Sequence, residues 1–262
     1  MKLALYWIDA FSDRAFAGNP AAVVPLAAWP DDALLQQIAF ENGLSETAFF
    51  VRTGGARLHL RWFTPAVEVD LCGHATLASA HVLFHELGQE GDRVTFDSRA
   101  GPLQVARRPD GKLELDFPAR PAAPAVAPPD LLAGLGAPPR HTARSERMWL
   151  CVYDHAAVVV GLRPDHAALS RLVPGRIIVT APGDDCDFVS RFFAPDAGVA
   201  EDPVTGSAHC TLMPYWAERL GRNQLHARQV SRRGGELWCE LAGDRVKIAG
   251  RTVLYLRGEI SV

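Results

Sequence analysis

Two periodicities take turns along this chain. Residues 3–10 alternate and are aromatic and β-branched enough to predict a strand. Phe16-Ala17-Gly18-Asn19-Pro20 reads as a turn, because Gly and Asn tolerate unusual backbone angles and Pro then fixes φ. Ala22-Val23-Val24-Pro25 resumes a short strand. From Pro30 the spacing becomes helical: an acidic first turn at Asp31 and Asp32, an apolar face of Leu34, Leu35, Ile38 and Ala39, and Gly43 as the stop. Residues 45–51 and 57–63 predict two strands, joined as a hairpin by Gly54-Gly55. Residues 74–87 are Ala, Leu and Val nearly all round, which predicts a buried central helix rather than a surface one, stopped by Gly88. Strands follow near 94–97, 103–107 and 112–117.

Residues 118–129 hold five prolines and five alanines with few large apolar side chains, the composition of a domain boundary. The second half rebuilds the same kind of unit. Strands are expected at 148–153, 156–160, 176–180 and 187–193, and a short helix at 164–172. A second central helix is expected at 207–220, stopped by Gly221, with Pro214 kinking or breaking it. Strands near 229–231, 236–241, 245–248 and 252–261 complete the chain. Regular strand–helix alternation is lacking, so an α+β fold of two similar halves is predicted, 1–118 and 119–262.

The two central helices open on the same device. Phe63-Thr64-Pro65 leads through a turn-rich stretch to Gly73-His74-Ala75, and Phe193-Ala194-Pro195 leads to Gly206-Ser207-Ala208. Similarity at so long a period suggests a duplicated unit, not a solenoid. A glycine at a helix start presents backbone N–H groups and partial positive charge, a place for a carboxylate. Two such starts facing each other would clamp a small anion.

Composition narrows the function classes. A 262-residue chain with 48% hydrophobic residues fills a sizeable core, and a net charge of -3 leaves no electrostatic footprint for nucleic acid. Cys72, Cys151, Cys186, Cys210 and Cys239 are odd in number, widely spaced and without a CxxC pair. That argues against a disulfide framework and for a reducing compartment. With no signal-peptide pattern and no apolar run near the ~18 residues of a membrane span, a soluble cytoplasmic protein with no membrane partner is expected. No dinucleotide fingerprint or P-loop occurs, and no cofactor is expected.

Several side chains could carry chemistry, and each has a plainer reading. Glu46 shares a strand face with Ala48 and Phe50. Buried there, its carboxylate could move protons near neutral pH; otherwise it is an exposed acid at a strand end. His74, beside Gly73, is either a neutral ligand-binding or proton-relaying group, or a cap. Asp202 precedes the second helix, where an acid also serves merely to complement the dipole. Asn19 could donate to a ligand or cap its own turn. Cys72, one residue before Gly73, could be an activated thiol or a small buried hydrophobe. Its counterpart in the second copy is Thr205, which cannot act as a base near pH 7, so a symmetric two-thiol racemase is disfavoured. His81 and His85 stand at i, i+4, a spacing that can bind zinc, but the residues between them lack the Glu of a His-Glu-x-x-His motif, and no metal is expected.

Asp9-Ala10-Phe11 with Gly18-Asn19-Pro20, Ser45-Glu46-Thr47-Ala48-Phe49, Leu71-Cys72-Gly73-His74-Ala75-Thr76 and Glu201-Asp202-Pro203-Val204-Thr205-Gly206-Ser207-Ala208 occur in that order. Together they resemble the PhzF-like isomerase family of phenazine biosynthesis. The resemblance implies the diaminopimelate epimerase-like fold: two pseudo-symmetric halves, each a central helix wrapped by a curved sheet, a site in the cleft between them, and a last strand near 252–262 that returns to the first half. It implies proton transfer on a small anionic metabolite without a cofactor. By motif, Glu46 is the glutamate that moves a proton, His74 and Asp202 are the family's histidine and aspartate, and Gly73, Gly206 and Ser207 match its carboxylate-binding positions. A homodimer is also implied. The alternatives are a small-molecule binding protein on the same fold and a Cys72-dependent racemase or epimerase.

Overall fold

The computed structural model describes residues 1–54 and 57–262, so Gly55 of the expected Gly54-Gly55 turn lies outside the described residues. The chain divides into two compact units, Met1–Asp116 with Ala249–Val262, and Phe117–Ile248. Both mix strands with few helices. Among the described residues no helix is long and apolar enough to cross a membrane.

The first unit contains β1 (Lys2–Ala10), β2 (Asn19–Leu26), α1 (Asp32–Asn42), β3 (Glu46–Gly54), β4 (Arg57–Phe63), the two-residue β5 (Glu68–Val69), α2 (Gly73–His81), β6 (Arg93–Asp97), β7 (Leu103–Arg107) and β8 (Leu113–Pro118). β1 and β2 are antiparallel, β2 and β3 parallel with α1 as their crossover, and β3 and β4 antiparallel. One end of β4 takes β5 antiparallel and the other takes β6 parallel, after which β7 and β8 follow antiparallel. The C-terminal strand, Thr252–Ser261, pairs antiparallel with β1 along its whole length.

The second unit contains β9 (Ala123–Pro124), α3 (Pro129–Leu135), β10 (His141–Arg144), β11 (Trp149–Val152), α4 (Ala156–Gly161), α5 (His166–Leu169), β12 (Ile177–Pro182), β13 (Phe188–Ala194), β14 (Val199–Asp202), α6 (Gly206–Leu220), β15 (Gln224–Gln229), β16 (Gly235–Ala242) and β17 (Arg245–Gly250). Its pairing repeats that of the first unit. β10 and β11 are antiparallel, β11 and β12 parallel, and β12 and β13 antiparallel; β13 takes β14 antiparallel and β15 parallel, and β15 takes β16 antiparallel. The repeated Phe-x-Pro stretch is thus a tight return after β4 or β13, and its return strand runs into the glycine that starts α2 or α6.

Burial explains why the middle strands read as apolar runs. In β2, Ala22, Val24 and Leu26 pack with Leu35, Ile38 and Ala39 of α1, as do Phe49 and Val51 of β3. The alternate residues Ala21, Val23 and Ala48 are fully buried on the other face, and α2 packs against β1, β2 and β3. Every α2 residue from His74 to His81 is buried. Its hydroxyls are absorbed by the helix itself: Thr76 Oγ1 donates to the Cys72 carbonyl at 2.5 Å and Ser79 Oγ to that of Ala75 at 2.8 Å. The expected helix over 74–87 is α-helical only to His81; Val82–Glu86 continues it as a π-helical turn.

Three expectations are corrected. The strand at 156–160 is the helix α4, in which Ala156 and Val159 are buried while Val158 and Val160 are exposed. That three-residue spacing is helical, and the parallel pair β11–β12 requires a crossover, so topology overrides the β-branched run. Pro214 does not break α6, which runs unbroken from Gly206 to Leu220. Proline cannot donate to the carbonyl four residues back, and the Arg120 backbone N–H takes that place on Cys210 at 2.8 Å. The strand expected at 229–231 lies at Gln224–Gln229.

Gly18 is the glycine on which the first unit is least tolerant. Its φ is +69°, and a side-chain carbon there would run into the carbonyl oxygen of Ala10 and the Cβ of Ser12. Gly18→Ala is expected to destabilise the fold by about 3 kcal/mol or more, the left-handed backbone and the backbone collision adding. Urea unfolding followed by circular dichroism measures it.

Candidate active site

The β2–β3 register builds the first half of the candidate site. Ala21 pairs with Glu46, so Asn19, two residues before Ala21, shares its face. That face looks onto α2, whose second residue is His74. Asn19 is fully buried and His74 is 5% exposed, whereas the Glu46 side chain keeps 19% of its surface. Glu46 Oε2 lies 3.2 Å from His74 Nε2, and Asn19 Nδ2 lies 3.2 Å from His74 Nδ1. Cys72 Sγ is 3.5 Å from the same Nδ1. Three side chains that the sequence scatters over residues 19–72 therefore meet around the His74 imidazole.

Burial holds the His74 imidazole down to about 3, so the ring is neutral near pH 7. The helix start acts in the same direction, because its partial positive charge opposes a second cation. Cys72 is the N-cap of α2, with an extended backbone and no side-chain capping bond. The first-turn N–H groups after it, including that of Gly73, belong to the set a helix cannot satisfy internally.

Glu46, Cys72 and His74 also offer one ligand atom each within 4.8 Å of one another, a donor set that suits zinc. Cys72 faces Nδ1 of the ring and Glu46 faces Nε2. An ion held by one ring nitrogen would need one of these side chains to swing round. His81 and His85 do not join His74: their rings contact each other at 4.7 Å, and His81 Nδ1 is 2.7 Å from Thr252 Oγ1.

The second unit places Asp202 at the end of β14 and Gly206 and Ser207 in the first turn of α6. Thr205 Oγ1 donates a short hydrogen bond to Asp202 Oδ2. Gln229, at the end of β15, holds this corner together. Its Oε1 accepts the Thr205 N–H at 2.9 Å, and its Nε2 lies 2.7 Å from the Asp202 carbonyl and 3.1 Å from Thr205 Oγ1. His209 donates from Nδ1 to the Thr205 carbonyl at 2.8 Å and is fully buried. Arg191 braces the same hairpin, gripping Glu201 through two bonds of 2.7 and 2.9 Å and the carbonyls of Val159 and Leu162 through Nη1. Sequence reasoning missed Gln229 and Arg191. They lie far along the chain from the motifs they support, and no local signal marks them.

A mixed α+β chain of two units with one pairing order, each leading a short return strand into a glycine-started helix, defines a class of duplicated two-unit proteins. The family within that class is equally plain: residues 8–258 match the family model described as phenazine biosynthesis-like protein, and the chain belongs to that family. An uncharacterized isomerase of Pseudomonas aeruginosa is 54% identical over 260 residues, which cover 99% of both chains. The crystal structure of a PhzF-family phenazine biosynthesis protein from Enterococcus faecalis superposes with a TM-score of 0.96, at 44% identity and full coverage of both chains. A hydroxyproline epimerase from Agrobacterium vitis shares the fold alone, with a TM-score of 0.64 at 11% identity over 99% of this chain and 92% of its own.

Burial holds His209 down to about 4, as it holds His74 to about 3. An unfolded histidine binds a proton below about 6.5, and these two in the native state do not until far lower pH. The unfolded state therefore holds more protons, and stability falls as pH drops through the window from about 6.5 toward 4. His74→Gln and His209→Gln should each remove about 2 kcal/mol of the stability lost between pH 6.5 and pH 5. Urea titrations of wild type and variants at the two pH values read that difference directly.

Proposed function

We propose that this protein is an isomerase that moves a proton on a small carboxylate-bearing metabolite, using its own side chains and no cofactor. The observation that carries this reading is the Glu46 carboxylate standing 3.2 Å from a buried, neutral imidazole on a helix start. The family membership and the isomerase names of relatives support it. In the proposed step the substrate carboxylate docks on backbone N–H groups, that of Gly73 among them. Glu46 takes a proton from one carbon and delivers it to another, so the double bond shifts and no atom is gained or lost. His74 orients Glu46 and spreads its charge. The same proposal gives Asp202 and the N–H groups of Gly206 and Ser207 a part in holding the substrate.

A second reading, thiol-dependent epimerisation, draws on one observation, the 3.5 Å approach of Cys72 Sγ to His74. The two readings part under mutation. Glu46→Gln is expected to lower turnover by about 10²–10⁴-fold while ligand binding, read as thermal stabilisation, survives. Cys72→Ser is expected to keep turnover. Retained activity in Glu46→Gln together with loss in Cys72→Ser would reverse the assignment. Incubating candidate carboxylates in deuterated water with wild type should put deuterium on carbon; binding with no exchange for any of them would leave a binding protein.

A further inference from the structure

Arg61 on β4 and Arg191 on β13 hold equivalent places, each two residues before the Phe of its Phe-x-Pro stretch. They also make the same contacts. Arg61 donates from Nε and Nη2 to the two carboxylate oxygens of Glu68 at 2.7 and 2.8 Å, and Arg191 does the same to Glu201 at 2.7 and 2.9 Å. In both, Nη1 reaches a helix of the crossover between the parallel strands. Arg61 takes Asp32 in the first turn of α1 at 2.8 Å, and Arg191 takes the Val159 and Leu162 carbonyls at the end of α4 at 3.1 and 3.0 Å. Each guanidinium lies over the ring two residues on, 5.1 Å from Phe63 and 5.0 Å from Phe193. Both arginine side chains are 11% exposed. Arg99 adds a bond to Glu68 from a side chain that is 54% exposed, but the contacts that recur in both units are those of the fork.

Chain length connects the fork to the helix. The stretch from Phe-x-Pro to the helix glycine is three residues longer in the second unit, and all of that difference lies before the glutamate. Glu68 precedes Gly73 by five residues, and Glu201 precedes Gly206 by five. The strand pairing agrees, since Trp62 faces Val69 and Phe192 faces Asp202, each one residue past the glutamate. A fork that served only to steady the turn would tolerate extra residues on either side of the glutamate. Two copies that differ in their turns and in the groups at their helix starts instead keep one spacing from fork to helix.

We propose that Arg61 and Arg191 are positioning residues: each pins its return strand through the glutamate and so sets where the N–H groups of Gly73 and Gly206 stand. The proposal rests on the reading above in which those groups hold a substrate carboxylate, and it names what aims them. Hydrogen bonds to an anion depend on direction, and a planar guanidinium fork fixes direction where an ammonium point charge does not. Sheet, crossover helix and return strand meet on one side chain, so each helix start is tied to the sheet as well as to its own packing.

The test reads glycine amides in the whole chain. With ¹³C carbonyl labels on Cys and Thr and ¹⁵N on Gly, the signals selected are those of Cys72-Gly73, Thr205-Gly206 and Thr53-Gly54, because no other Cys-Gly or Thr-Gly pair occurs in the sequence. Gly54, at the far end of β3, is the control. Arg61→Lys keeps the charge and loses the fork. It is expected to move the Gly73 amide signal and leave Gly206 and Gly54 in place, and Arg191→Lys is expected to move Gly206 alone. Glu68→Gln and Glu201→Gln open the same forks from the other side and should give the same two shifts, which decides the matter if a lysine variant folds poorly. Acetate serves as the anion probe. It should shift Gly73 in wild type and bind about tenfold more weakly in Arg61→Lys, the size of one lost hydrogen bond to a charged group. Unmoved Gly73 and Gly206 signals overturn the proposal, as do shifts spread over all three glycines, the mark of a fork that only stabilises the fold. Acetate affinity unchanged in a variant whose Gly73 has moved overturns it too. A wild type with no acetate response at Gly73 sinks instead the reading of Gly73 as a carboxylate donor, and the shifts in the variants still decide the fork.

Discussion

The burial of one neutral imidazole, with an amide and a carboxylate each 3.2 Å from its ring nitrogens, is the constraint on which the first unit's candidate site depends. It exists because α2 is apolar enough to be swallowed by strands, which removes water from His74 and with it the charged form of the ring. The register of β2 on β3 then decides which side chains meet the ring, since Asn19 and Glu46 fall on the face toward α2. Shift that register by one residue and Asn19 and Glu46 would fall on opposite faces of the sheet. The site is therefore a property of the sheet, and the helix supplies only its backbone dipole and the ring.

Both units follow one pairing order, yet their helix starts gather different groups. In the first, Cys72-Gly73-His74 gathers a thiol, an imidazole and the carboxylate of Glu46. In the second, the Thr205 hydroxyl meets Asp202, with Gln229 satisfying donors and acceptors on three sides. A duplicated scaffold fixes where a helix start can hold an anion. It leaves open which side chains surround that anion, and the unequal copies are what point away from mirror-image chemistry. Fold likeness to a distant epimerase carries no such information.

Much of the architecture was legible in the amino-acid order. Alternation marked the strands of the first half, glycine stops marked α1 and α6, and the repeated Phe-x-Pro stretch marked the two helix starts. Counting along the strand put Glu46 on the face of Ala48 and Phe50 and left open whether it was buried there. The errors share a cause. Residues 156–160 carry β-branched side chains that favour a strand, but a parallel pair must be bridged, and the bridge is a helix. Pro214 reads as a breaker until Arg120, ninety-odd residues away, caps the carbonyl it leaves.

The sequence by itself determined most of the elements, the duplication, the family and the candidate groups, because these rest on local periodicity, turn chemistry and short motifs. Only the tertiary structure decided what each group is. Asn19 read locally as a ligand donor or a turn cap, and its amide lies 3.2 Å from a ring 55 residues on; Gln229 carried no signal and closes a corner with Thr205 and Asp202. Hydrogen-bond partners and dryness are set by strand register and packing between distant segments, and no local pattern encodes either.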